Sequence, residues 1–153
     1  MTDYREKLAE LSLLDNKTNT FLWNGNFASI SCFTLDALEA MCNDRESPQM
    51  RINFHKSHND HTQQMLMILA QNCEILPHFQ NRGAVSYTVL RGEAELKLTE
   101  NRVDYETHRL ALHKIQFIKL PRSTIRHMRA TTDYFFFVET CDGPFIREET
   151  IWV

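Results

Sequence analysis

At 153 residues with a formal net charge of −3 and a pI near 6.1, the chain has room for one domain with a true hydrophobic core and carries no basic surplus for a phosphate backbone. Its 42% hydrophobic and 24% charged residues suit a folded globular protein, and its longest apolar runs, 65–70 and 134–138, fall far short of the roughly 20 residues that span a bilayer. Nucleic acid and membrane are thereby demoted as partners. The polar start, Met-Thr-Asp-Tyr-Arg-Glu-Lys, does not read as a secretory signal, so the cytoplasm is the expected location.

Along the chain, the spacing of Leu8, Leu11 and Leu14 predicts a helix over 4–14, capped by Thr2 or Asp3. Residues 21–33 read as extended or irregular. A second helix is predicted over 35–41, opened by Thr34 and finished before Pro48. Asn59 or Asp60 is placed to cap a third, short helix over 61–69, with Met65, Leu66, Ile68 and Leu69 packing on the segments after it. From there the pattern turns to strand. Residues 74–78, 85–90, 93–99, 103–110, 115–120, 126–131 and 134–139 are short β-type runs separated by turn formers, the spacing of a sandwich or barrel. In 93–99, Ala94, Leu96 and Leu98 share one face while Glu93, Glu95 and Lys97 share the other, so that strand has one wet side. Gly92 suits a tight bend just before it. Cys32, Cys42, Cys73 and Cys141 lack a C-x-x-C pair and read as reduced, mostly buried thiols, with Cys141 kept as a candidate pocket residue.

Two histidines draw the chemistry together. Residues two apart on a strand face the same way, so His78 and Gln80 form one such pair, and His127 and Arg129 form another on a later strand. Arg51, Asn53 and His55 also alternate; an Arg fork recognises phosphate or carboxylate, and Asn and His add directional contacts to sugar hydroxyls. Arg122 and Arg126 are placed to meet an anionic ligand or to form a solvated rim, and Tyr87 and Tyr105 could donate a proton or stack on a sugar. Glu139 stands in an aromatic strand, where a buried carboxylate needs a partner such as an Arg. His55, His58 and His61 would share a face only on a helix, and Ser57, Asn59 and Asp60 favour a turn or cap there. Neither a Gly-rich phosphate loop nor a nucleophile elbow, H-E-x-x-H or Rossmann fingerprint occurs.

The stretch from Pro77-His78 to Gly92 resembles the first motif of the cupins, and 118–128, with Pro121 and His127, resembles the second. More narrowly, Arg51-Ile-Asn-Phe-His55, Gln63-Gln-Met65, Pro77-His78, Val89-Leu-Arg-Gly92, Arg126-His127, and Val138-Glu139 through Gly143-Pro144-Phe145 to Trp152 look like the WbuC family, cupin-fold proteins of bacterial O-antigen and surface-polysaccharide gene clusters. The family's usual second His and its Glu would fall at 80 and 85, where this chain has Gln80 and Val85; an amide oxygen is a weak metal ligand and Val is none.

The resemblance implies a mainly β chain: a single cupin barrel or jelly-roll over 51–153, preceded by a helical N-terminal segment over 1–50 that packs on it. It implies a pocket that binds, and as an enzyme would isomerise or epimerise, a sugar or nucleotide sugar. His78 and His127 would be the catalytic acid and base, with Arg51, Asn53, His55, Gln80, Tyr87, Arg126 and Glu139 around the substrate. His78, His127 and Gln80 are also the candidate ligands for one weakly held divalent ion (zinc, nickel, manganese or iron), the alternative being none. A homodimer is expected. The other functional reading is a non-catalytic ligand-binding cupin, a sensor or assembly subunit, whose metal site has decayed.

Overall fold

The computed structural model describes residues 8–26 and 28–153. The chain order is β1 (Leu11–Asp15), β2 (Thr20–Trp23), α1 (Cys32–Asp44), β3 (Gln49–Asn53), β4 (Thr62–Ala70), β5 (Glu74–Gln80), β6 (Val85–Arg91), β7 (Glu93–Thr99), β8 (Glu106–Ala111), β9 (Phe117–Leu120), β10 (Ile125–Ala130), β11 (Tyr134–Asp142), a 3-10 turn over Arg147–Glu149, and β12 (Thr150–Trp152). The strands form two sheets that remain separate, so the barrel expected from sequence is an open two-sheet jelly-roll. One sheet runs β1-β2-β3-β4-β11-β6-β9 and the other β12-β5-β10-β7-β8. The β2–β3 ladder is parallel and the other ladders between these strands are antiparallel.

Two apolar layers hold the molecule together. Between the sheets lie Met65, Met67, Leu69, Val85, Val89, Ala94, Leu96, Met128, Phe135 and Phe137, with the rings of Phe135 and Phe137 stacked at 5.0 Å. On the outer face of the larger sheet, α1 lays Leu35, Leu38 and Cys42 over Met50, Ile52, Leu66, Ile68 and Phe136. The middle of that sheet is therefore covered on both sides. This accounts for β4, where a helix over 61–69 was expected: Met65 to Leu69 are all buried because the two faces meet different cores, and a continuous apolar run of this length fits a doubly covered strand as well as a helix.

The helical N-terminal segment is corrected in the same way. Leu11–Asp15 is a strand that pairs with β2, turned by Asp15, whose carboxylate accepts from Lys17 N (2.9 Å) and the Thr18 hydroxyl (2.8 Å). The first residues of the predicted 4–14 helix lie outside the described residues. The second predicted helix is present as α1, three residues longer at its start. Ser31 is its cap, accepting from Thr34 N (3.2 Å), and the Thr34 hydroxyl accepts from Ser31 N (3.2 Å), a reciprocal capping box. Arg91 of β6 ties α1 to the sheet through Asp36 (2.7 Å) and Glu39 (3.5 Å). The seven expected strands correspond to β5 through β11 with shifted ends. Gly92, at φ +78, makes the expected bend. Among the described residues no helix is long and apolar enough to cross a membrane.

Candidate functional site

The site is built from inward-facing rows of the two sheets. In the larger sheet, Asn53 of β3, Met65 of β4, Glu139 of β11 and Tyr87 of β6 lie side by side in register, and all face the smaller sheet. Arg51, Met67 and Phe137 form the row on one side, and Gln63, Cys141 and Val85 the row on the other. Three of the predicted substrate residues, Asn53, Tyr87 and Glu139, thus share one row. Arg51 adjoins them two residues before Asn53 on β3, exposed, with its Nε 3.4 Å from the Met67 sulfur.

On the smaller sheet, a bulge decides what faces that row. Ile75 pairs with Met128 and His78 with Arg126, so Leu76 and Pro77 together oppose the single residue His127. Pro77 falls where the ladder is already broken and no amide donor is needed. The extra residue turns His78 inward opposite Arg126. His78 is 8% exposed; its Nδ1–H donates to the Leu76 carbonyl (2.8 Å), and its ring packs on Trp152 of β12 at 4.9 Å. Arg126, Met128 and Ala130 alternate inward on β10, so His127 and Arg129 point outward. His127 Nε2 there meets Glu74 Oε2 at 3.3 Å. The sequence-based pairing of His78 with His127 is corrected on this point: the two imidazoles lie on opposite faces of one sheet, and the group facing His78 is Arg126.

The electrostatics follow from burial. Burial, reinforced by Arg126, lowers the His78 pKa to about 4, so the ring is neutral at pH 7 with its Nε2 lone pair free. Burial pushes the Tyr87 phenol well above its usual range while Arg126 pulls against it. The Cys141 thiol is pushed up to about 12 by burial and then by Glu139, which makes it a poor nucleophile. Arg126 is 3% exposed, and its Nε and Nη2 have no hydrogen-bond partner; Asn53 Oδ1 is likewise buried and unpartnered. Among the described residues no ion pair involves Arg126.

The other candidates lie apart. The chain leaves β3 after Asn53, and the His55 Nδ1 sits 3.0 Å from the Gln64 carbonyl, so the alternation of 51, 53 and 55 ends at Asn53. His58 packs on Phe145 at 5.8 Å. Gln80 lines a crevice with Cys141 and Thr150. Arg122 lines an open surface groove with Gly83, Ala84, Lys119 and Pro121, and Tyr105 is 40% exposed. Sequence reasoning missed the contact of Trp152 with His78 and the bulge itself; Pro77 inside a strand pattern was the available signal.

These residues do not fit a divalent metal. The expected trio of His78, His127 and Gln80 is split across two sheet faces, Val85 offers no donor, and the guanidinium beside His78 repels a second cation. Among the described residues no group of three His, Cys, Asp or Glu could hold a metal.

The two-sheet, mainly antiparallel arrangement is a cupin-type fold, shared with solved structures that superpose on the chain. No family model matches the chain, and no curated protein matches it. The capsular polysaccharide assembling protein CapF from Staphylococcus aureus superposes with a TM-score of 0.61 at 12% identity, over 69% of this chain and 32% of its own. Oxalate decarboxylase from Bacillus subtilis superposes at 0.54 and 14%, over 62% of this chain and 24% of its own. The chain therefore spans about a third or less of the length of either, and the likeness is one of fold.

Proposed function

We propose that the chain is a cupin-type binding protein for a sugar or nucleotide sugar in bacterial surface-polysaccharide biosynthesis, working by recognition without an imidazole acid–base pair. The observation that carries this reading is the set of unpartnered polar atoms between the sheets: Arg126 Nε and Nη2 as donors and Asn53 Oδ1 as acceptor, each buried. A buried polar atom without a partner is costly, and a polyhydroxylated ligand supplies both donors and acceptors. Tyr87 and Glu139 add a hydroxyl and a carboxylate on the same row, and the neutral His78 ring adds an acceptor nitrogen. The polysaccharide context rests on the WbuC-like motifs and on the fold likeness to a capsular polysaccharide assembling protein.

Epimerisation by two-group proton exchange would need a base and an acid on opposite sides of the sugar carbon, and the expected imidazole pair does not supply them because His127 faces away from His78. Calorimetric titration with UDP-N-acetylglucosamine and dTDP-glucose tests binding, and proton NMR of the same mixtures in D2O tests turnover. Saturable binding of at least one sugar, in a panel that adds acidic sugars to these two, without deuterium incorporation is expected. Incorporation at a ring carbon would overturn the non-catalytic part of the reading.

A further inference from the structure

We infer that the ligand carries a carboxylate, and that Arg126 is the group that receives it. This deepens the sugar-binding reading above and rests on it. The two unpartnered nitrogens of Arg126, Nε and Nη2, form one edge of the guanidinium, the edge that meets a planar carboxylate with two parallel N–H···O bonds. Arg126 is 3% exposed, so this unpaired edge lies in the interior, between the two sheets.

The shape of the unpaired edge points to a flat pair of oxygens: a carboxylate meets Nε and Nη2 with two coplanar acceptors, whereas a single hydroxyl satisfies one of them. Asn53 Oδ1 then asks for a hydroxyl or amide N–H on the same ligand, as an acidic sugar provides.

The test is isothermal titration of the full chain with D-glucuronate, D-glucuronamide, D-glucose and glucose 1-phosphate, repeated on Arg126→Met and Arg126→Lys. On the natural chain, glucuronate should bind at least about 10-fold tighter than its neutral amide, and Arg126→Met should weaken it by about 100-fold. Arg126→Lys keeps the charge but loses the fork and should recover only part of that loss. The comparison of acid with amide needs no variant, so it holds even if a substituted chain fails to fold. Equal binding of glucuronate, glucuronamide and glucose, unaffected by Arg126→Met, would overturn the carboxylate assignment while leaving sugar binding standing. Tighter binding of glucose 1-phosphate would overturn it in favour of phosphate. Arg126-dependent binding of acetate with no sugar bound would support the carboxylate site and sink the sugar reading.

Discussion

Arg126→Met should make the ligand-free protein more stable, an unusual outcome for truncating a residue that is 3% exposed. Replacing a whole buried ion pair or triad with apolar side chains of similar volume stabilises by about 1–4 kcal/mol in measured cases, and Arg126, with two orphaned guanidinium nitrogens and no ion pair among the described residues to break, is assigned about 3 kcal/mol by the same reasoning. Met fills the space of the Arg stem and leaves a void of roughly 50 Å³ where the guanidinium was, which costs about 1 kcal/mol. The net gain is about 2 kcal/mol, or about 4–8 °C in Tm for a domain of this size. Urea unfolding at pH 7.5, with the m-value compared between the two chains, measures it directly. A loss of more than about 1 kcal/mol at unchanged m would show that the cation is already satisfied in the free protein, and the ligand argument would fall with it. Saturating glucuronate should reverse the ranking, since ligand at about 100 times its Kd adds about 2.7 kcal/mol to the natural chain alone.

His78 sets an acid limit. Its folded pKa of about 4 lies below the ordinary 6.5, so the folded state binds fewer protons than the unfolded chain; the stability it lends is intact above 6.5 and is lost as pH falls toward about 4. By pH 5 the loss is about 2 kcal/mol, and urea unfolding at pH 7.5 and pH 5 should show a correspondingly smaller drop in His78→Asn. Removing the outward ring in His127→Ala deletes only a half-exposed contact with Glu74 and should cost under about 1 kcal/mol in the same assay, with ligand affinity unchanged. Gly92→Ala should cost about 2–4 kcal/mol, because a Cβ at φ +78 would strike the Tyr134 carbonyl oxygen and the Thr132 hydroxyl; a loss below about 1 kcal/mol would show that the bend can relax. Added Zn2+ or Ni2+ should leave the Tm within about 1 °C, and a rise abolished by His78→Ala would refute the argument that this donor set rejects a cation.

Much of the β architecture is legible from period-2 patterning. The strand Glu93–Thr99 shows it best, since its charged face stays partly exposed while Ala94 and Leu96 are fully buried. The pattern misleads where a strand has no wet face. Met65 to Leu69 are apolar throughout because α1 covers one side and the smaller sheet faces the other, and nothing local separates that from a buried helix. At the N-terminus, Leu8, Leu11 and Leu14 have helical spacing, but Leu14 is 55% exposed and Leu11 joins its neighbours in the ladder with β2. Tertiary pairing overrode local spacing there. The candidate residues of the larger sheet, Asn53, Tyr87 and Glu139, are found together because their strands run in simple register.

The smaller sheet escaped the same reasoning because of one extra residue. Alternation from Ile75, which faces the core, would send Pro77 inward and His78 outward; the Leu76–Pro77 bulge reverses this and seats His78 opposite Arg126. His127, adjacent to an inward Arg126, is thereby committed to the outer face. A position that could have collected a second imidazole receives a guanidinium instead, and the change alters what the space can hold. A metal ion offers exchangeable coordination sites to neutral or anionic oxygens alike, whereas the unpaired edge of a guanidinium accepts one flat pair of oxygens in one plane. Selectivity then comes from the geometry of Arg126 and the acceptor on Asn53, and both atoms stay costly to the fold until a ligand with that shape arrives.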